Sequence, residues 1–262
     1  MLSGLKSVGM MIPDTVAAPG PAPTTDPFYS YVHGLWHLDT DYTDSGPVGR
    51  TLLTTGTSAT FGVQSTTFKY GTGSLRTSPG NTTSFVRIPA NAALNVTGDF
   101  CFEFWIKATY NSGSYSNVFQ TAASGANGTG TPPAAALGVA NWTNAAGTGL
   151  GGTTLTCYLN SGSNQLRLTS TSNPNDNNWH HIALTRSGTT CRLFFDGAIQ
   201  ASGTYSLALD LGASYGMIVG RYTNTDSTNP LNGYLDDIRI TLGVPRYTAN
   251  FTPATGAFPN SG

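Results

Sequence analysis

Charge is what this chain of 262 residues has least of: Asp, Glu, Lys and Arg make up 10% of it, and Glu103 is its single glutamate. Typical soluble domains carry roughly 25% charged residues, so the water-facing surface here must be built from Ser, Thr, Asn and Gly. Twelve basic and thirteen acidic residues nearly cancel. No basic tract is present, which excludes the clustered Lys and Arg that displace counterions from a nucleic acid.

Other absences narrow the class. The three cysteines, Cys101, Cys157 and Cys191, cannot all pair within one chain and show no C-x-x-C spacing. They are expected as small buried apolar residues of a protein made in a reducing cytoplasm. No run of 18 apolar residues occurs, so membrane insertion is not expected. Residues 1–23 contain one Lys but no uninterrupted apolar segment of signal-peptide length. No internal repeat is visible.

Catalytic patterns are missing as well. Glycoside cleavage needs two carboxylates flanking the bond. Glu103 has no carboxylate two or four residues further on, and Asp99, four residues earlier, falls in the turn entering its strand. There is no G-x-S-x-G elbow. His180 and His181 are adjacent and should face opposite ways on a strand, while His33 and His37 share a face but sit too far apart to act together. All four histidines are read as packing or surface residues, Glu103 is placed on an outward or pairing face opposite an Arg or Lys, and no enzyme is expected.

What is present is alternation. Residues 178–200, NWHHIALTRSGTTCRLFFDGAIQ, break at Ser187-Gly188 and at Asp196-Gly197, which predicts two hairpins in succession. Further strands are expected at 58–63, 74–77, 85–88, 100–108, 117–121, 155–159, 165–170, 217–220 and 235–241. Turn residues separate them at short spacing, and no long 3.6-period segment intervenes. The pattern is that of an all-β, antiparallel two-sheet sandwich.

The same residues resemble a known family. The WHHIA strand, the LFFDG hairpin and the closing GYLDDIRI strand at 233–240 recur in the laminin-G-like, concanavalin A-like lectin/glucanase superfamily. So do DPFYS from Asp26, LWHLD from Leu35, FKYGTGSL from Phe68 and FCFEFWIK from Phe100, in the same order. Several linked motifs are far more specific than one. The version ending GVPRYTANFTP looks most like modules of bacteriophage virion structural proteins.

The resemblance implies a jelly-roll sandwich over residues 26–251 with its first strand at 31–38; the Pro-rich residues 1–25 are expected as an extended N-terminal arm, or alternatively a disordered tail, and 252–262 as a C-terminal extension. It implies a structural calcium held by Asp39, the carbonyls around Gly73, and Asp236 or Asp237. The alternative for the Asp39 loop is plain turn chemistry, and for the Asp pair an ion pair with Arg239 or another Arg. Sugar stacking is expected of exposed aromatics, Trp142, Tyr110, Tyr115 or Tyr222, although Trp142 serves equally as a plug on the sheet.

The expected role is a non-enzymatic virion structural protein, in a capsid decoration or a tail, displaying a lectin-like sandwich for glycan or host-surface adhesion. The alternatives are a free-standing carbohydrate-binding module and, last, a glycoside hydrolase. Expected partners are other virion proteins, copies of the chain itself and host surface glycans, with no nucleic acid. The expected location is the virion surface after synthesis in the host cytoplasm.

Overall fold

The structure is a computed structural model that describes residues 24–56, 60–78, 84–109, 117–121, 154–161, 164–221 and 231–262. Its strands in chain order are β1 (Val32–Trp36), β2 (Leu53–Thr55), β3 (Gly62–Gln64), β4 (Ser74–Thr77), β5 (Phe85–Ile88), β6 (Asn95–Val96), β7 (Phe100–Thr109) and β8 (Phe119–Thr121). There follow β9 (Thr156–Ser161), β10 (Asn164–Thr169), β11 (Asp176–Ser187), β12 (Thr190–Phe195), β13 (Ala198–Thr204), β14 (Leu209–Asp210), β15 (Met217–Val219) and β16 (Gly233–Leu242). β4 and β5 fall on the expected residues, whereas β2, β6 and β14 are too short for any alternation to announce them.

One sheet runs β13-β12-β11-β7-β16-β4-β3, with β1 also paired to β16. The opposing layer contains β2-β5-β15-β8. All pairings are antiparallel, as the alternation predicts.

Alternation along β7 decides the packing. Phe102, Phe104 and Ile106 turn inward to a core completed by Ile182, Leu193 and Leu235 of neighbouring strands. Across the gap between sheets, Phe119 of β8 meets both Phe102 and Phe104 with ring centroids 4.8 Å apart. Interdigitated inner faces of two twisted sheets are what hold a sandwich together. The three cysteines are free and buried.

Asp196 (φ 48°) and Gly197 (φ 79°) both take the left-handed conformation between β12 and β13. That is the turn an Asp-Gly pair favours, because its twist matches that of the flanking strands. Gly197 has a second role: a Cβ there would strike the carbonyl oxygen of Phe251. The bare backbone instead lets the Phe251 amide donate to the Gly197 carbonyl at 2.9 Å.

That contact belongs to a larger arrangement. Residues 24–31 and 245–262 lie over the outer face of the large sheet, and the Asp26 amide donates to the Ser261 carbonyl at 2.8 Å. The C-terminal extension is thus bound down along its length: the Phe258 amide donates to Asp237 Oδ2, and the Tyr70 hydroxyl to the Ala254 carbonyl. Residues 1–23 lie outside the described residues, as does the Ala/Gly-rich segment 122–152.

Candidate functional site

The outer face of the large sheet presents its side chains in transverse rows set by strand register. Thr241, Cys101 and Thr185 form one row. Arg239, Glu103, Ala183 and Phe194 form the next, followed by Asp236, Trp105 and His181. The last is Arg76, Tyr234, Lys107 and Trp179. The first three rows are covered by the terminal segments.

The cover closes over charge. Glu103 is fully buried, receiving Arg239 at 2.8 Å and 2.9 Å on Oε1, and His181 Nε2 at 3.2 Å and the Tyr247 hydroxyl at 3.0 Å on Oε2. Asp26 joins Arg239 at 3.1 Å and takes both terminal nitrogens of Arg246, at 3.0 and 2.7 Å. The expected Arg opposite Glu103 is its cross-strand partner, but the face is sealed rather than outward. Two carboxylates and two guanidiniums in mutual contact are a closed structural unit, with Glu103 committed on both oxygens. Asp99 is spent elsewhere, accepting from the Gly188 amide at 2.7 Å.

Burial alone would raise the pKa of Glu103, but Arg239, His181 and Arg246 hold it well below its ordinary 4.5. Asp26 is likewise lowered from 3.8, its burial overcome by hydrogen bonds from Arg246 and the Phe28 amide. The unfolded chain therefore binds more protons at these sites in acid. Their stabilisation is complete above the ordinary carboxylate values and is lost as pH falls below them. Asp236 acts in a separate window: burial and neighbouring Asp237 raise it to about 7, so its contribution declines as pH rises from 3.8 towards that value. Urea midpoints are expected to fall steeply below pH 4 and to decline more gently from pH 4 to 7. A midpoint unchanged between pH 5 and pH 2.5 would contradict the buried ionised pair.

The residues expected to hold calcium come close together without converging on a cavity. Asp39, Asp236 and Asp237 all act electrostatically on His37. Asp39 accepts from the Thr72 and Gly73 amides, and Asp236 from the Lys69 and Tyr70 amides at 2.7 and 3.2 Å. Asp237, at a bulge with φ 45°, pairs with His37 at 2.5 Å and with the Phe258 amide at 2.8 Å. Gly73 is required because a Cβ would collide with the Asp39 carbonyl.

Asp237 thus spends both oxygens, on His37 and an amide, while Asp39 and Asp236 each give one oxygen to a pair of amides. Among the described residues no group of three or more His, Cys, Asp or Glu is arranged to hold a metal ion. Asp44, in the same loop, is buried and accepts from the Leu35, Gly46 and Arg50 amides.

The fourth row is different. Arg76, Tyr234 and Lys107 are half-buried neighbours on three adjacent strands. With Thr109, Asn177 and Asn232 they line a cleft of about 190 Å³ that no terminal residue enters. Among the described residues neither Arg76 nor Lys107 has an ion-pair or hydrogen-bond partner. Asn177 is left-handed (φ 64°) at a bulge where β11 departs from register with β7 between Asp176 and Trp179. Bulges re-aim side chains and recur beside functional sites. The bulge brings Asn177 to the cleft beside the cations, whereas the Asn178 side chain donates to Asp176 Oδ2 at 3.0 Å.

The aromatic residues expected to stack on sugars, Trp142, Tyr110, Tyr115 and Tyr222, lie outside the described residues. The cleft uses another, Tyr234, which sequence reasoning passed over as part of a structural strand. The available signal was Lys107, the charged position near the end of β7 on the face that also carries Glu103.

Similarity to known proteins agrees with this fold. No curated protein matches the sequence. Among solved structures, domain 4 of AbnA, a GH43 extracellular arabinanase from Geobacillus stearothermophilus seen with arabinotriose, is 18% identical with a TM-score of 0.58, over 81% of this chain and 92% of that one. The binding domain of Paraclostridial Mosquitocidal Protein 1 is 13% identical with a TM-score of 0.58, over 82% and 49%. A structure of botulinum neurotoxin type C, whose cell entry depends on interaction with two ganglioside molecules, is 12% identical with a TM-score of 0.56, over 82% and 48%. This chain spans about half the length of those toxin chains. Residues 79–243 match the family of concanavalin A-like lectins and glucanases across most of the sandwich, and the chain belongs to that superfamily.

Proposed function

We propose that this protein is a non-enzymatic, glycan-binding sandwich. The carrying observation is the fourth row of the outer sheet face, where an aromatic ring, two cations without partners among the described residues and two amides share a cleft while the other three rows are sealed. A sugar needs an aromatic face for its C–H surface and a few fixed donors and acceptors for its hydroxyls. Tyr234 supplies the first, and Asn177, Asn232 and Thr109 the second. Hydrolysis is disfavoured by the closed pairing of Glu103 with Arg239.

The setting proposed is a phage particle, with the sandwich displayed outward for adhesion; the closing GVPRYTANFTP motif and the nearly uncharged surface support it. A free-standing carbohydrate-binding module is the second reading, supported by the near-complete overlap with an arabinanase domain seen with a sugar. Antibody labelling of purified particles separates the two.

A glycan array probed with the full chain tests binding itself. At least one sugar is expected to bind, with affinity falling about tenfold in Tyr234→Ala, the loss of roughly 1.4 kcal/mol. Silence across the array would sink the reading.

A further inference from the structure

We infer that the saccharide taken by this cleft carries a carboxylate, as uronic and sialic acids do; this rests on the glycan-binding reading and adds the class of sugar. Arg76 and Lys107 are both register partners of Tyr234, one on each side. Adjacent strands lie about 4.8 Å apart, so the two backbones stand roughly 10 Å apart with the ring between them. That spacing matches one sugar ring lying over Tyr234 with its acidic substituent reached by a cation at one side.

The charge pattern points the same way. Among the described residues no carboxylate lines the cleft, whose other side chains are neutral hydroxyls and amides. Among the other cations of this sheet face, Arg239 and Arg246 join Glu103 and Asp26, and Lys69 lies 4.2 Å from the centre of the Trp105 ring, whereas Arg192, in the Thr185 row on β12, has no carboxylate partner among the described residues and stands away from the cleft. Arg76 and Lys107 are the two that share this cleft, and among the described residues neither has a carboxylate to neutralise it. Two like charges held on one face of three adjacent strands repel each other slightly, and an anion between them removes that repulsion. A guanidinium fork fits the two oxygens of a carboxylate, while an ammonium adds a movable point charge. Two cations are too few to follow a nucleic-acid backbone, whose recognition rests on many phosphate contacts.

The test compares matched sugars by calorimetry with the full chain: 3′-sialyllactose against lactose, and trigalacturonate against its carboxyl-reduced form. The acidic member of at least one pair is expected to bind tenfold or more tightly than its neutral match, with a preference that shrinks between 50 mM and 500 mM NaCl. In the Arg76→Gln/Lys107→Gln variant that preference should collapse to near unity. Both positions are half-exposed, and an unchanged thermal melt verifies that the variant is folded. Equal binding of acidic and neutral members overturns the inference while leaving the glycan reading intact, and so does an acidic preference that survives in the double variant. Binding to neither member of either pair, together with a silent array, overturns both.

Discussion

Arg239→Ala is expected to destabilise the protein by about 3–5 kcal/mol, because breaking a buried ion pair leaves the other charge without compensation. Glu103 is wholly buried and Arg239 is 4% exposed. Removing the guanidinium strips Glu103 of its closest cation and Asp26 of one of two. Arg246 cannot replace it, since its Nε is already 3.6 Å from Glu103 while its terminal nitrogens hold Asp26. The measurement is a urea unfolding curve, in which the midpoint should fall with little change in slope. A loss below about 1 kcal/mol, the range of exposed pairs, would mean that water reaches this network. The Glu103→Met/Arg239→Met double variant is expected to recover part of the loss, because two apolar side chains remove the stranded charge. Recovery stays partial since His181 and Tyr247 lose their acceptor.

The second large effect is expected at Phe258. Its side chain is 2% exposed and packs with Val32, Leu35 and Trp105 under the C-terminal segment. The Arg239 guanidinium lies 3.9 Å from its ring centre, a cation held over an aromatic face. Phe258→Ala therefore removes apolar burial and the ring under the cation together, for an expected loss of about 3–5 kcal/mol. Because residues 252–262 contain no strand, little besides side-chain anchors and a few hydrogen bonds holds them down. The variant should therefore show faster hydrogen exchange in this segment and in the Asp26 amide before it shows global unfolding. Unchanged protection at Asp26 would mean that the two ends are held by something other than this ring.

Much of this architecture was legible in the residues. FCFEFWIK assigns alternate faces of β7 without any tertiary information, and Asp196-Gly197 announces its hairpin because few other pairs tolerate two successive left-handed residues. The linked motifs from Asp26 to the closing strand carried the superfamily. Glu103 is expected opposite an Arg or Lys, and Arg239 is its cross-strand partner.

Two things were not legible, for one physical reason. Period-2 alternation says that two faces exist, but the burial of each depends on what the rest of the chain lays over it. An outer face bearing Glu103, His181 and Arg239 reads as solvent-facing until residues 24–31 and 245–262 are seen to cover it. The candidate site has the same origin: positions 76, 107, 179 and 234 share no local pattern. They become a row only through long-range register, which local sequence does not encode.

The scarcity of charge takes on a definite meaning in this light. The sequence by itself determined the all-β class, the hairpins, the superfamily and the lack of a glutamate pair for hydrolysis. Tertiary structure alone decided how the few charges are used: most of those on the outer face neutralise one another beneath the terminal segments, where burial makes an unpaired charge costly. Arg76 and Lys107 stay unpaired because strand order sets them at the uncovered end of the sheet, half-open to water, where an unpaired charge can be kept for a ligand.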